Sequence, residues 1–236
     1  MVKRLSILFF FAPFALLAQI PTGAELLQKS IHYHDPEGTW GSQKHVLQLT
    51  ETRPGGKDRK TTVEIDLNEE RFNLDQLREG QKIYQEINKG ECKITLDGKE
   101  EISESDKEKF RLTCDRATLL RDYYTYLWGL PMKLKDPGTQ IAEKVVSDNF
   151  QGKECWAMKV TYTAEVGDDI WYFYFDKGSY ALIGYRFYHE EEKNDGEYIT
   201  LDGETKLGKM RLPKTRKWFI NKDDRFLGAD ILDEIR

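Results

Sequence analysis

Reactive side chains are scarce in this chain of 236 residues, which has four histidines and three cysteines. No Gly-x-Ser-x-Gly elbow occurs and no cysteine has an evident histidine partner. Nucleophilic catalysis therefore leaves no local signature, although a spatial triad needs none. The glycines form no phosphate cradle: Gly55-Gly56 is followed by Lys57-Asp58 instead of a Lys-Ser/Thr pair opening a helix. Cysteine spacing offers no zinc pattern. No cofactor motif is present, and no cofactor is expected. Positive charge is not in excess either: 36 basic side chains against 41 acidic ones set the formal charge at −5 and argue against a nucleic-acid partner. A mean hydropathy of −0.67 excludes a multi-span membrane protein.

What the chain does have begins with a leader. Lys3 and Arg4 precede an uncharged apolar run over residues 5–17 that ends at Ala18. This is the pattern of a secretory signal peptide, residues 1–18, cleaved after Ala18. As a helix the run would reach about 20 Å, short of the roughly 30 Å of membrane hydrocarbon, so an integral anchor is the poorer reading. No cysteine stands near Ala18 to carry a lipid. The expected product is a soluble protein, periplasmic or secreted, with one domain over residues 19–236. In an oxidising compartment the odd count of Cys92, Cys114 and Cys155 permits at most one internal bridge. All three pairings are open. The favoured one joins Cys92 to Cys114, closing a loop of about 22 residues worth about 3 kcal/mol, with Cys155 a small buried strand residue. Three reduced, buried cysteines are the alternative.

The pattern along the chain is one helix, many strands, a helical block, and many strands again. Thr22 and Glu25 have capping-box spacing, and Leu27, Ile31 and His34 follow at helical intervals until Asp35-Pro36 stops the helix. From Lys44 the period changes to two, as in Val63, Ile65 and Leu67 or Cys92, Ile94 and Leu96, which predicts half-buried antiparallel strands. Residues 103–112 are helix-prone, and 115–128 carry a broad apolar and aromatic face ended by Gly129 and Pro131. Strand patterns then recur about every ten residues to the end of the chain, a meander signal. The expected fold is α+β, mainly β: an open, curved antiparallel sheet, or half-barrel, of about eleven strands wrapped around two or three helices.

The order of leader, helix ending in His34-Asp35-Pro36, strands, helix ending in Gly129-Leu130-Pro131-Met132-Lys133-Leu134, and strand Trp171-Tyr172-Phe173-Tyr174-Phe175-Asp176 resembles an uncharacterised family of secreted bacterial proteins. That resemblance covers nearly the whole mature chain. More distantly, the strand 171–176, its hairpin into Leu182-Ile183-Gly184-Tyr185, and Leu212-Pro213 look like the periplasmic lipoprotein-carrier superfamily of LolA, LolB and lipoprotein-sorting proteins. The resemblance implies an open half-barrel with helices lidding a hydrophobic cavity. It matches no ligand-contacting motif of the carriers residue by residue.

Three features are candidates for function. His32, His34 and Asp35 are metal-ligand types, but residues two apart on a helix point about 200° from one another, so His32 and His34 cannot ligate together unless the last turn unwinds. His34 alternatively lies on the buried face and bonds a terminal carbonyl or Asp35, or lines a ligand cavity with Asp35. Rings are the more informative feature. The five consecutive aromatics from Trp171 place rings on both faces of one strand, so the strand is either central or borders a cavity on one side. The lining candidates are Tyr123, Tyr124 and Trp128 with Trp171, Phe173 and Phe175. Finally, residues 206–217 hold six basic side chains and no acidic one, a patch for anionic head groups or an acidic partner, or lysines guarding an edge.

The expected function is thus non-enzymatic: an exported soluble protein whose partner is a hydrophobic or amphipathic small molecule, lipid or acyl chains included, held between sheet and helices. An envelope structural or interaction module with a fully packed core is one alternative. A metal-dependent hydrolase using His34 and Asp35 is the other.

Overall fold

The computed structural model describes residues 20–236, so the expected leader lies outside the described residues. Helix α1 (Gly23–His34) starts as its sequence dictates: the Thr22 hydroxyl accepts from the Glu25 N–H at 3.3 Å, and the Glu25 carboxylate accepts from the Thr22 N–H at 2.8 Å. Five strands follow as a meander: β1 (Lys44–Thr52), β2 (Arg59–Asp66), β3 (Arg71–Arg78), β4 (Gln81–Asn88) and β5 (Glu91–Leu96). Their alternate residues, such as Val63, Ile65, Phe72 and Leu74, are buried on one face. A short α2 (Glu104–Phe110) leads into α3 (Cys114–Trp128), capped by the Thr113 hydroxyl.

The second meander comprises β6 (Thr139–Ile141), β7 (Val146–Phe150), β8 (Lys153–Tyr162), β9 (Ile170–Asp176), β10 (Leu182–Tyr188), β11 (Glu197–Leu207), β12 (Met210–Ile220) and β13 (Phe226–Ile235). Pairing of β13 with β1 joins the two meanders into one antiparallel sheet, whose path runs from β5 at one end to β6 at the other. The two ends do not pair, so the sheet is open, as expected of a half-barrel. It has thirteen strands instead of about eleven. One addition comes from residues 139–150, which form two short strands separated by residues 142–145, both paired to β8.

Helix α3 lies along the seam between the halves. Its Tyr124 and Trp128 pack with Leu47, Val63 and Phe72 of the first half. Leu127 packs with Met158, Phe173, Phe175 and Tyr185 of the second. The ring-rich strand β9 is covered on both faces: Phe173 and Phe175 are sealed inside, and Tyr174 stacks on Phe150 at 4.1 Å on the other side. Residue 184 must be glycine for that second cover to close, because a Cβ there would stand 2.2 Å from the Phe150 ring.

Cys92 of β5 is bridged to Cys114, the first residue of α3, with the Cα atoms 5.8 Å apart. The bond fastens the outermost strand of the first meander to the start of the seam helix. Cys155 is a buried free thiol, and burial pushes its pKa up, away from reactivity. The bridge closes a separation of 22 residues, so Cys92→Ser should lower the unfolding free energy in urea by about 3 kcal/mol. Reductant should weaken the wild type by the same amount and leave the variant unchanged; a wild type indifferent to reductant would contradict this.

Candidate functional site

His34 and Asp35 are held in place by other parts of the chain. The His34 Nε2 accepts the Leu182 N–H at 2.9 Å, so its Nδ1 carries the proton and donates to the Arg211 carbonyl at 2.8 Å. Burial pushes the pKa of this ring down to about 4, which keeps it neutral and both nitrogens engaged. Asp35 accepts the Thr39 N–H and hydroxyl through Oδ1 and the Trp40 N–H through Oδ2, each at 2.8 Å. These residues dock the end of α1 onto β10 and β12 and shape the turn that follows. Both ring nitrogens of His34 and both carboxylate oxygens of Asp35 are thus engaged with different neighbours. Among the described residues no three of His, Cys, Asp and Glu cluster as a metal site would require.

Beneath α3 the interior is packed but not purely apolar. Arg216 of β12 is completely buried, with Nη2 donating to the Leu127 carbonyl at 2.9 Å and its guanidinium 3.6 Å from the centre of the Trp128 ring. The carbonyl belongs to the negative end of α3, where a cation is favoured. On one side Glu51 accepts from Arg59 at 2.6 Å and from the Tyr124 hydroxyl at 2.7 Å. Arg59, Thr61 and Tyr124 together hold its carboxyl below the usual range despite burial. On the other side Asp230 accepts the Trp218 N–H at 3.1 Å, and burial raises its pKa to about 6. Tyr123, Tyr124, Trp128, Phe173 and Phe175 all belong to this filled interior.

The open space lies beside α3. A cavity of about 720 Å³ is bounded by one flank of the helix, by the corner where β2 turns into β3, and by the ends of β8 and β9. That volume is within the usual range for small-molecule sites. Its apolar wall comes from Ile65, Leu67 and Phe72 on one side and from Tyr126, Tyr162 and Trp171 on the other. Pro137 and Thr139, after a 3-10 turn at Met132–Lys135, close the floor. Charged side chains rim the opening, among them Asp66, Glu70, Arg121 and Lys133.

Of the ring residues singled out in the sequence, only Trp171 lines this space. Its strand-mates Phe173 and Phe175 share its face but sit deeper in the sheet, where α3 and α1 cover them. Tyr126 and Tyr162 are lining residues that sequence reasoning misses. Tyr126 follows Tyr123 at helical spacing and Tyr162 ends an alternating strand, so each has a signal for burial and none for a cavity. The basic run over residues 206–217 is no uniform patch: Arg216 is interior, Lys209 pairs with Glu37 at 2.8 Å, and Lys206 pairs with Glu204 at 3.4 Å.

No curated protein matches the sequence. The model of a family described as "Family of unknown function (DUF6503)" matches residues 3–234. Among solved structures, a domain named as an outer-membrane lipoprotein-sorting protein from Vibrio parahaemolyticus superposes with a TM-score of 0.52 at 11% identity, covering 91% of each chain. A LolA superfamily protein from Nitrosomonas europaea gives a TM-score of 0.52 at 9% identity, covering 92% of this chain and 94% of that one. At these identities the likeness is one of fold, and the fold is LolA-like.

The buried His34 makes stability depend on pH. Its folded pKa of about 4 lies below the ordinary 6.5, so the unfolded chain binds more protons between the two values. The contribution is whole above pH 6.5 and is lost as pH falls towards 4. His34→Gln, which cannot take up that proton, should be less stable than wild type at neutral pH. The gap should narrow by up to about 3 kcal/mol on acidification, measured by urea unfolding. A gap independent of pH would show that the ring is not held neutral.

Proposed function

The chain belongs to the DUF6503 family, whose function is unknown, and we propose that it is an exported, non-enzymatic binding protein that holds an apolar or amphipathic molecule in the cavity beside α3. The observation that carries this reading is the cavity itself. Its walls leave Tyr126, Tyr162 and Trp171 half-buried beside a space that no described side chain fills. Apolar surface left in that state gains by covering it: a ligand burying about 300 Å² would gain about 7 kcal/mol before the cost of immobilisation, a ceiling equivalent to micromolar binding. The solid interior beneath α3 gives the cavity a rigid back wall, and in this role Tyr123, Tyr124, Trp128, Phe173 and Phe175 support the site from behind.

Other features agree. The Cys92–Cys114 bridge suits an oxidising compartment, as does a leader removed after Ala18 to release a half-barrel domain over residues 19–236. The name of the Vibrio domain refers to lipoprotein sorting, and lipoproteins carry acyl chains of the kind such a cavity would bury. No catalytic step is proposed, because the hydrogen-bonding atoms of His34 and Asp35 are engaged in holding α1. The packing beneath α3 favours a second reading, an envelope structural module whose rings are all core. The unfilled cavity weighs against it.

The test is uptake. Organic extracts of the purified protein, analysed by mass spectrometry, should contain a co-purifying amphiphile, and the neutral probe N-phenyl-1-naphthylamine should bind in the micromolar range. Val166→Trp, placed at the exposed mouth of the cavity, should weaken probe binding at least about fivefold by filling the space. Absence of both a co-purifying amphiphile and probe uptake would leave the structural-module reading in its place.

A further inference from the structure

We infer that the cavity selects amphipathic cations, an ammonium or quaternary ammonium on an apolar body, over fatty acids and other anionic amphiphiles; this rests on the binding reading above and specifies its ligand class. Three rings meet at one corner of the cavity. Tyr126 lies 5.8 Å from Trp171 at an interplanar angle of 67°, and 6.4 Å from Tyr162 at 69°. The rings meet edge to face and all three line the cavity, so π surface, whose face is the negative side of the aromatic quadrupole, borders the space where a cation without strong hydrogen bonding can be held. The Tyr126 and Tyr162 hydroxyls bond to each other, so the corner is fixed before a ligand arrives.

The charges of the rim point the same way. Five carboxylates and three cations line the cavity, and the cations are already engaged. Arg121 pairs with Asp122 at 2.8 Å, Lys133 pairs with Asp136, and Arg71 turns to Glu86, outside the lining, at 3.0 Å. Among the described residues, Asp66 and Glu70 have no cation within ion-pair distance. An ammonium at the ring corner would meet π surface beside it and these two carboxylates across the same cavity. A fatty-acid carboxylate would lose water there and meet like charge without a free cationic donor. The buried cation that could otherwise serve it, Arg216, is sealed beneath α3 by Trp128 and does not reach the cavity.

Displacement of N-phenyl-1-naphthylamine by three ligands of one chain length separates the possibilities: decyltrimethylammonium, decanoate and decanol, each below its micelle or solubility limit. Decyltrimethylammonium should displace the probe at a concentration at least about tenfold lower than decanoate. The double variant Asp66→Asn, Glu70→Gln keeps side-chain size, and the Asn amide oxygen can still accept the Glu69 N–H that Asp66 accepts at 3.1 Å; it should shrink that ratio to about threefold. Trp171→Leu removes the ring along with part of the apolar wall, and should weaken the ammonium about tenfold but decanol only about threefold. Decanoate binding as well as or better than the ammonium would overturn the inference and leave the binding protein standing. A probe that binds but is displaced equally by all three would overturn it as well. If neither the probe nor any ligand binds, the binding reading fails and takes this inference with it.

Discussion

A buried guanidinium ties the seam helix to the sheet. Burying Arg216 costs several kcal/mol, offset in part by the last turn of α3, through the Leu127 carbonyl and the face of Trp128, and by nearby Tyr185 and Asp230; its Nε and Nη1 find no partner among the described residues. The arginine has its hydrogen bond to Leu127 and its contact with the Trp128 ring only when the helix lies in the seam, which ties the helix there. Glu51 with Tyr124 and Asp230 with Tyr123 and Trp218 set its rotation. Once position and rotation are settled, the flank carrying Arg121, Thr125 and Tyr126 can face only sideways, towards the corner of β2 and β3. The cavity is a consequence of how α3 docks.

That arrangement divides the aromatic content of the protein into two uses. Rings at the middle of strands and on the inner face of α3 fill the seam and give it the density of an ordinary core. Rings at element ends, Trp171 where β9 begins and Tyr162 where β8 finishes, border the space left over. Both kinds are needed for a binding site of this sort. A loose interior would let the helix sink and close the cavity, whereas a wall without rings would offer a ligand little surface to cover.

Much of this is legible along the chain, and the limits are physical. The capping box at Thr22, the period-two strands, the stop at Gly129 and the pairing of Cys92 with Cys114 depend on neighbours or on short loops, and each is readable locally. The bonds of His34 depend on Leu182 and Arg211, far along the chain, so residue type alone leaves a metal ligand, a cap and a cavity wall all open. Trp171, Phe173 and Phe175 share one strand face, and alternation gives them the same prediction. What separates them is the approach of the β2–β3 corner, about a hundred positions away in sequence, to the end of that strand. The basic run misleads for a similar reason, since Glu37 pairs with Lys209 at the surface and the seam of α3 buries Arg216.

Whether a ligand enters beside α3 or beneath it can be read from the five tryptophans of the chain, which report on both places at once. Protein labelled with 5-fluorotryptophan, titrated with N-phenyl-1-naphthylamine and followed by ¹⁹F NMR, gives one resonance for each ring. The Trp171 resonance, assigned through Trp171→Phe, should move with saturation, while those of Trp40 and Trp128, sealed in the core, stay where they are. Movement of Trp128 with Trp171 silent would mean that the helix lifts and the ligand enters beneath it, which would contradict a binding site beside the helix.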